Sequence, residues 1–533
     1  MANRVNLGYV CIDEVNAEDN VVRMLTKSEK GDSLFRGQYL DLDSSNGKRY
    51  LGKIIKGPFY LPESGSSLSI IHTKTTVEGD ILTQIPPYFV ACYIEIIGEK
   101  WEGEIVAVYT RPLPKTPANP TSEDELKKII GIGGDIYLGN LYGYDGISIK
   151  LKSDEKNVLP RNFVLCGTVG SGKSNTAQVI MEEAIKAKEK LAVIVVDVEG
   201  EYTKMDEPSG RKIEIELLKK FGLEPEGVKD LKVYYPNGSS KPKEVKNPQI
   251  FCIKESKLDL RLLLNFLPDL SPKMKAVFAD IVDWFKEKHG IDYDWSLEGI
   301  YRYCLGEKDA RDKATKEALR WRLRSIMKLG IFQNVAGGYS ESELDAVLGG
   351  KRPSKKEIVS EISMKELLKP GRISVIDVSD TNSDAVNNII IAWLLEEVFK
   401  EKVEKGNETH TLLIIEEAHT FFSSGEMDAA LEKIRTVARR GRKRWFCLGF
   451  VTQQPAHLPQ EVFELCNTRI VHQVQSVDNI QVIKKSTGGG VRDEIWNTVL
   501  NLRRGQALII SPQFNHPVIT NIRPAQSERK FTT

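Results

Sequence analysis

A phosphate-binding loop is the clearest chemical motif in this chain. The spacing GxxxxGK[ST] is matched by Gly167, Thr168, Val169, Gly170, Ser171, Gly172, Lys173 and Ser174. Glycines let backbone N–H groups close around phosphate oxygens, and the helix that begins there adds the partial positive charge of its N-terminus. We predict that this loop binds a nucleoside triphosphate such as ATP, with Lys173 on the β- and γ-phosphates and Ser174 on Mg²⁺.

The residues around the loop predict the strand and the helix that it requires. Asn162 to Cys166 is a short apolar run typical of a buried strand, and residues 176–190 carry apolar side chains at helical spacing. A chance match in a glycine-rich loop would lack these two neighbours.

Two adjacent acids follow a second apolar run, Thr411 to Ile415. This is the Walker B arrangement, in which Glu416 is expected to hold Mg²⁺ directly or through water. Glu417 is expected to polarise the water that attacks the γ-phosphate. The alternative is a solvated strand end. His419, two residues on, is as readily a structural histidine as a functional one.

A polar residue that follows the next buried run, Phe446 to Val451, is a candidate sensor of the γ-phosphate. Gln453 and Gln454 both fit, and ordinary turn chemistry before Pro455 fits equally well. We take Gln453 as the sensor.

Arginines are concentrated between these two runs, from Arg435 to Arg444. Such a run is usually a solvated helix face. Phosphoryl transfer, however, needs additional positive charge, which an arginine of a neighbouring subunit often supplies. Arg442, after the helix-ending Gly441, is our candidate for that arginine.

Asp197 and Glu201 are further candidates for the nucleotide site. Asp197 ends the apolar run Leu191 to Val196 that follows the loop helix. Active sites of mostly parallel sheets lie at the carboxyl ends of their strands, which places both acids near the predicted site.

The pattern of the whole chain predicts an α/β fold. Strand and helix signals alternate around the motifs, short Val/Ile/Tyr-rich runs precede them as in a small β-barrel, and a helical insertion interrupts them. The predicted bounds are 1–118 for the barrel, 119–257 and 349–512 for the two parts of the ATPase core, 258–348 for the insertion and 513–533 for an extended tail. Pro112 to Thr121 is expected to be a linker, and Lys229 to Lys246 a solvated basic loop.

Composition excludes several function classes. Lys and Arg (75) nearly cancel Asp and Glu (74), so any nucleic-acid contact must come from a local patch or pore. The seven cysteines form no CxxC pair, which favours free thiols over a metal site. With neither a signal peptide nor an apolar run of membrane-spanning length, a cytoplasmic protein is expected.

The ordered set of motifs resembles the HerA family, within the HerA–FtsK group of hexameric DNA translocases. The motifs are GYV, FRGQYL and LGKI near the start, then LPRNFVLCGTVGSGKSN, DVEGEY, LLIIEEAH, ARRGRKRWFCLGFVTQQP, LCNTRIV and LRRGQALI. Two features depart from the family pattern: Glu416 stands where aspartate is commoner, and VTQQP replaces an SQRP-like turn.

This resemblance implies a RecA-like core with a HAS-barrel-like N-terminal domain. It implies a homohexamer with ATP and Mg²⁺ between subunits and double-stranded DNA in a central pore. Arg442 would then act on the neighbouring subunit's nucleotide, Arg161 would be a second arginine near the phosphates, and Asn175 would close the nucleotide-binding motif. The tail is expected to brace the adjacent subunit. The implied partner is a NurA-like nuclease in DNA end processing, or an effector protein in anti-phage defence.

Three other functions fit parts of the sequence. An ATPase ring could scaffold and activate an effector, with DNA movement secondary. A conjugation-type coupling ATPase would require a membrane segment. A non-enzymatic nucleotide-binding module would have no need of the pair Glu416 and Glu417.

Overall fold

Two compact units make up the computed structural model. It describes residues 5–12, 20–62, 88–102, 104–156, 158–159, 161–267, 269–306, 313–350, 357–423, 427–487 and 493–530. The first unit comprises 1–133, 140–149 and 513–520, and the second comprises 134–139, 150–512 and 521–533.

The first unit contains the predicted β-barrel. Its strands are β1 (Gly8–Val10), β2 (Val21–Lys27), β3 (Tyr39–Asp43), β4 (Arg49–Pro62), β5 (Tyr88–Trp101), β6 (Glu104–Val106) and β7 (Pro117–Pro120). They follow the order β2-β1-β7-β3-β4-β5-β6, and antiparallel pairing of β2 with β5 closes the barrel. Alternate residues such as Val22, Met24 and Ile54 point into a shared apolar core.

The predicted linker Pro112 to Thr121 is wrong, because part of it is the strand β7. Ala118 pairs with Gly8 of β1 and with Leu42 of β3. The two prolines of β7 stand at its ends, where a missing backbone N–H costs no hydrogen bond in the ladder. The proline-rich composition predicted a linker, because the strands that pair with β7 are distant in sequence.

A large, mostly parallel sheet runs through the second unit. Its strands are β8 (Ile136–Leu141), β9 (Ser148–Leu151), β10 (Phe163–Cys166), β11 (Ala192–Asp197), β12 (Leu231–Pro236), β13 (Gln249–Phe251), β14 (Ile373–Asp377), β15 (Thr411–Ile415), β16 (Phe446–Thr452), β17 (Thr468–Val471), β18 (Gln506–Ile510) and β19 (Val518–Ile522). The order is β13-β12-β14-β11-β15-β16-β10-β17-β18-β19-β8-β9. Residues of β8, β9 and β19 are shared between the two units.

Helices flank this sheet and form the predicted insertion, so the predicted fold class is confirmed. The helices of the insertion are Leu260–Phe266, Pro272–His289, Leu297–Gly306, Lys313–Met327 and Glu341–Leu348. The other helices of the second unit are Lys173–Lys186, Lys212–Lys220, Met364–Leu367, Asp384–Phe399, His419–Ser423, Met427–Gly441, Gln460–Leu465, Val477–Thr487 and Asp493–Val499. The helix Glu123–Ile129 belongs to the first unit. Within the described ranges, no helix combines the length and the apolar character needed to cross a bilayer.

Two further predictions about local structure are wrong. Leu231–Pro236, within the expected solvated loop Lys229 to Lys246, is strand β12 and pairs with β14. Val518–Ile522, within the expected extended tail, is strand β19. In both cases pairing with distant strands decides the conformation, since the local pattern of apolar residues is short.

The close packing of β16 against β10 can be tested at Gly449. A Cβ there would lie at or within 3.0 Å of three ring atoms of Phe163. We expect Gly449→Ala to lower the free energy of unfolding by about 1–3 kcal/mol, measured by urea denaturation. Gly306→Ala, where a Cβ would meet no atom within 4 Å, is the control. Equal stability of both variants would contradict this packing.

Candidate functional site

The predicted phosphate loop lies between β10 and the helix Lys173–Lys186, which we call the loop helix. Gly170 and Gly172 have φ of +74° and +116°, a region that residues with a Cβ rarely adopt. The Lys173 ammonium group donates to the carbonyl of Thr168 at 3.0 Å. The loop therefore has the conformation that its glycines predict, with its lysine directed into the turn.

The neighbouring strand β17 holds this loop in place. The backbone N–H and the hydroxyl of Thr168 both donate to the carbonyl of Gln473, at 2.8 and 3.1 Å. His472 is fully buried and its Nε2 lies 2.8 Å from the Thr176 hydroxyl. Burial lowers the pKa of His472 to about 4, so this histidine is neutral at pH 7 and acts as a structural contact of the loop helix.

Lys173 lies in a buried environment that also contains acids. Burial lowers its pKa, while the charges of Glu417, Cys166 and Glu416 oppose that shift. A polyanionic ligand would stabilise this buried ammonium group further, because its negative charge offsets the cost of burial. This electrostatic setting suits the phosphates of a nucleotide.

Glu417 is held by two polar neighbours at the carboxyl end of β15. Its Oε1 accepts a hydrogen bond from Gln453 Nε2 at 2.6 Å, and its Oε2 lies 3.2 Å from His419 Nδ1. Burial opposes its charge, but these contacts outweigh burial and lower its pKa. Its φ of +43° places it in the left-handed region, a strained conformation often found at functional sites. Glu417 is thus an oriented, ionised carboxylate.

The adjacent Glu416 has different surroundings. It is buried, and its Oε1 accepts a hydrogen bond from the Tyr202 hydroxyl at 2.5 Å. Burial above all, and the charge of Asp197, raise its pKa well above the usual range. Its Oε2 is buried without a hydrogen-bond partner among the described residues.

Asp197 organises the loop that presents Tyr202. Its two carboxylate oxygens accept the backbone N–H groups of Glu201 and Tyr202, at 3.0 and 2.9 Å. Burial is the main cause that raises the pKa of Asp197 to about 7, and Asp377 on the next strand adds to it. Asp197 therefore acts here through the backbone of its own loop.

A magnesium ion fits this set of donors. The Glu416 oxygen without a partner is a hard oxygen ligand, and Ser174 stands at the start of the loop helix. No group of three His, Cys, Asp or Glu side chains within the described ranges is arranged as a metal site by itself. Mg²⁺ in nucleotide sites usually needs one or two protein ligands, with phosphates and water supplying the rest.

The structure brings together most, but not all, of the predicted site residues. Gln453 contacts Glu417, whereas the Gln454 side chain is exposed. The amide of Asn175 bonds to the backbone of Arg523 and Ala525. Arg161 precedes β10, and so lies at the sheet edge opposite its own phosphate loop. Arg442 likewise precedes β16; its side chain lies outside the described residues.

The sequence analysis did not predict several residues of this site. Tyr202 lies within the motif DVEGEY, but the motif alone does not predict a contact between this tyrosine and Glu416. Gln473 and Gly505 follow and precede strands of the same sheet, and Gly505 N donates to Ser171 O at 3.0 Å. Gln473 follows β17, a buried strand next to β10, and that position was the sequence signal that could have identified it.

Comparison with known families gives two matches. The family model described as "Helicase HerA, central domain" matches residues 136–398, and that described as "Helicase HerA-like C-terminal" matches residues 361–511.

Curated relatives match over most of the chain. A DNA double-strand break repair helicase HerA of Pyrococcus furiosus is 24% identical over 489 residues, covering 80% of each chain. A protein of the same name from Sulfurisphaera tokodaii is 23% identical over 522 residues, covering 97% of this chain and 92% of the relative.

Among solved structures, VirB4 of Thermoanaerobacter pseudethanolicus matches with a TM-score of 0.50 and 16% identity. The match covers 73% of this chain and 96% of that protein. At 16% identity, the similarity shows that the two proteins share a fold.

The contact between Tyr202 and Glu416 yields a prediction. Tyr202→Phe leaves one oxygen of the buried Glu416 carboxyl without its hydrogen-bond partner and should lower the kcat of ATP hydrolysis about tenfold, since such a loss costs about 1–3 kcal/mol. The KM for ATP should change little. Steady-state phosphate release measures both quantities, with Tyr235→Phe on β12 as the control. An unchanged kcat would show that Tyr202 does not position Glu416.

Proposed function

Because this chain belongs to the HerA family, we propose that it is a motor that hydrolyses ATP to move along double-stranded DNA as a homohexamer. Family membership makes the chain a P-loop ATPase. The observation that carries the proposal is the pair of contacts that Gln453 and His419 make with Glu417, at the sheet edge of the phosphate loop. A module that only bound nucleotide would not need an oriented carboxylate there.

The residues of this edge account for each part of hydrolysis. Glu417, ionised at neutral pH, accepts a hydrogen bond from the attacking water and then its proton. The water oxygen forms a bond to the γ-phosphorus, the bond from that phosphorus to the β,γ-bridging oxygen breaks, and ADP and phosphate leave. Lys173 neutralises charge on the phosphates, and Gln453 fixes the carboxylate in the direction of the water.

Ser174 and Glu416 would hold Mg²⁺. When bound, this ion neutralises phosphate charge and orients the nucleotide. The Tyr202 hydroxyl holds one Glu416 oxygen and leaves the other for the metal.

The positions of Arg161 and Arg442 support action between subunits. β10 and β16 are parallel neighbours, and the Cys447 thiol at the start of β16 donates to the carbonyl of Arg161 at 3.1 Å. Both arginines therefore precede strands whose opposite ends carry the nucleotide site. An arginine at that edge is on the side of the sheet away from its own phosphate loop, where it would act on a nucleotide that another chain holds, as an arginine finger does.

DNA is the proposed track because the matching relatives are named DNA double-strand break repair helicases. A net charge of +1 is compatible with a pore that carries a few basic side chains per subunit. A NurA-like nuclease is the proposed partner in DNA end processing, with a defence effector as the alternative. The same low net charge favours the second candidate function, a ring that scaffolds an effector.

Glu417→Gln tests the coupling of hydrolysis to movement. The amide cannot take a proton from water, so turnover should fall by about 10²-fold or more. ATP binding and the mass of the assembled oligomer should stay unchanged. We expect the wild-type chain with ATP to displace streptavidin from the biotinylated end of a linear duplex, and the variant to fail. Streptavidin displacement by the variant would show that Glu417 is not needed for catalysis. A wild-type chain that hydrolyses ATP without displacement would favour the scaffold.

Arg442→Ala tests action between subunits. The variant alone should lose most ATPase activity, because its neighbour's site lacks the arginine. Mixing it with Lys173→Ala subunits, which keep Arg442 but lose their own site, should restore part of the activity. Mixed assembly is verified by co-purification of differently tagged chains. Absence of recovery in verified mixed rings would make the role of Arg442 structural.

A further inference from the structure

The loop helix carries a polar stripe on a buried face. Asn175, Gln178 and Glu182 stand at positions i, i+3 and i+7, which share one face of an α-helix. Gln178 is only 1% exposed and Glu182 only 2%. Buried polar groups of this kind need hydrogen-bond partners, and a buried carboxylate needs strong ones.

Glu182 takes its partners from residues 523–530, which we call the C-terminal strap. Its carboxylate accepts the backbone N–H of Gln526 at 2.9 Å and that of Ser527 at 2.8 Å. The Ser527 hydroxyl donates at 2.7 Å, and the Arg523 guanidinium forms an ion pair at 3.0 Å. Arg523 is itself fully buried.

The rest of the polar stripe also bonds to the strap. Asn175, next to Ser174 of the phosphate loop, donates to the Arg523 carbonyl and accepts the Ala525 N–H, both at 2.9 Å. The Gln178 amide donates to the carbonyl and hydroxyl of Ser527, at 3.0 and 2.9 Å. All three polar side chains of the stripe are thus satisfied by one segment.

The opposite side of the strap pairs with the loop that follows β11. Ser209 N donates to Gln526 O at 2.9 Å, and Glu528 N to Glu207 O at 2.7 Å. Farther along, Lys530 N donates to Glu201 O at 2.9 Å. Glu201 precedes Tyr202, whose hydroxyl bonds to Glu416.

We propose that the C-terminal strap is a positioning element for ATP hydrolysis that acts within its own chain. It fixes the loop helix, with Lys173 and Ser174 at its start, relative to the loop that presents Tyr202 to Glu416. The strap joins two parts of one catalytic site, so its loss affects the chemical step more than nucleotide binding. This role differs from a brace on the neighbouring subunit, and it depends on ATPase activity but not on DNA movement.

A cross-linking experiment decides between the two arrangements. Gln178→Cys/Ser527→Cys is treated with a short bis-maleimide, and products are separated by denaturing electrophoresis. We expect a cross-linked product with the mass of a single chain, absent from the two variants that each carry only one of the introduced cysteines. Cross-linked dimers and larger ladders would overturn the proposal in favour of a brace between subunits. A folded double variant without any specific cross-link would overturn it as well.

A pair of truncations tests the catalytic role. Removal of 529–533 deletes the contact with Glu201 but keeps the contacts of Glu182 with Arg523, Gln526 and Ser527. Removal of 531–533 keeps both sets of contacts and is the control. Because small misplacements of catalytic groups are costly, we expect the longer truncation to lower kcat about tenfold or more. The KM for ATP and the melting temperature should stay near the control values.

Arg523→Lys serves as the conservative partner of Arg523→Ala. Lysine keeps the charge beside Glu182 and should restore a substantial part of the kcat that alanine loses. An unchanged kcat in the longer truncation would overturn the proposal. So would a fall in kcat matched by an equal rise in KM and a lower melting temperature, because that pattern belongs to general destabilisation.

Discussion

Parallel pairing of β11, β15, β16 and β10 determines which residues meet at the nucleotide site. Val196 pairs with Ile415, Ile415 with Phe450, and Thr452 with Cys166. All four strands therefore end at one edge of the sheet. A shift of one residue in any strand would turn its side chains to the other face and separate the acids from the phosphate loop.

This edge gives two adjacent glutamates different chemistry. Glu416 is buried beside Asp197 and Tyr202, and burial above all raises its pKa well above the usual range. Glu417 contacts Gln453 and His419, and its pKa is lowered. Divergent environments of neighbouring carboxyls commonly separate the roles of two acids in one active site.

The sequence predicted the parts of this site that depend on local pattern. The phosphate loop requires a strand before it and a helix after it, and both were visible as apolar runs of distinct period. The acids after β15 and the glutamine after β16 followed from position at strand ends. Local pattern did not predict the two strands that depend on long-range pairing. The prolines of β7 are typical of a linker, and the charged residues around β12 are typical of a solvated loop. The strap was hidden for the same reason, since its partners on the loop helix lie more than 300 residues away.

The steady-state ATPase rate with and without linear duplex DNA tests whether this protein is a motor on DNA, on protein whose mass has been established by light scattering. A motor on DNA predicts a six-subunit species whose ATP turnover rises several-fold when duplex is added, an effect that weakens with salt as phosphate contacts are screened. A ring whose turnover is the same with and without DNA would show that hydrolysis is not coupled to DNA.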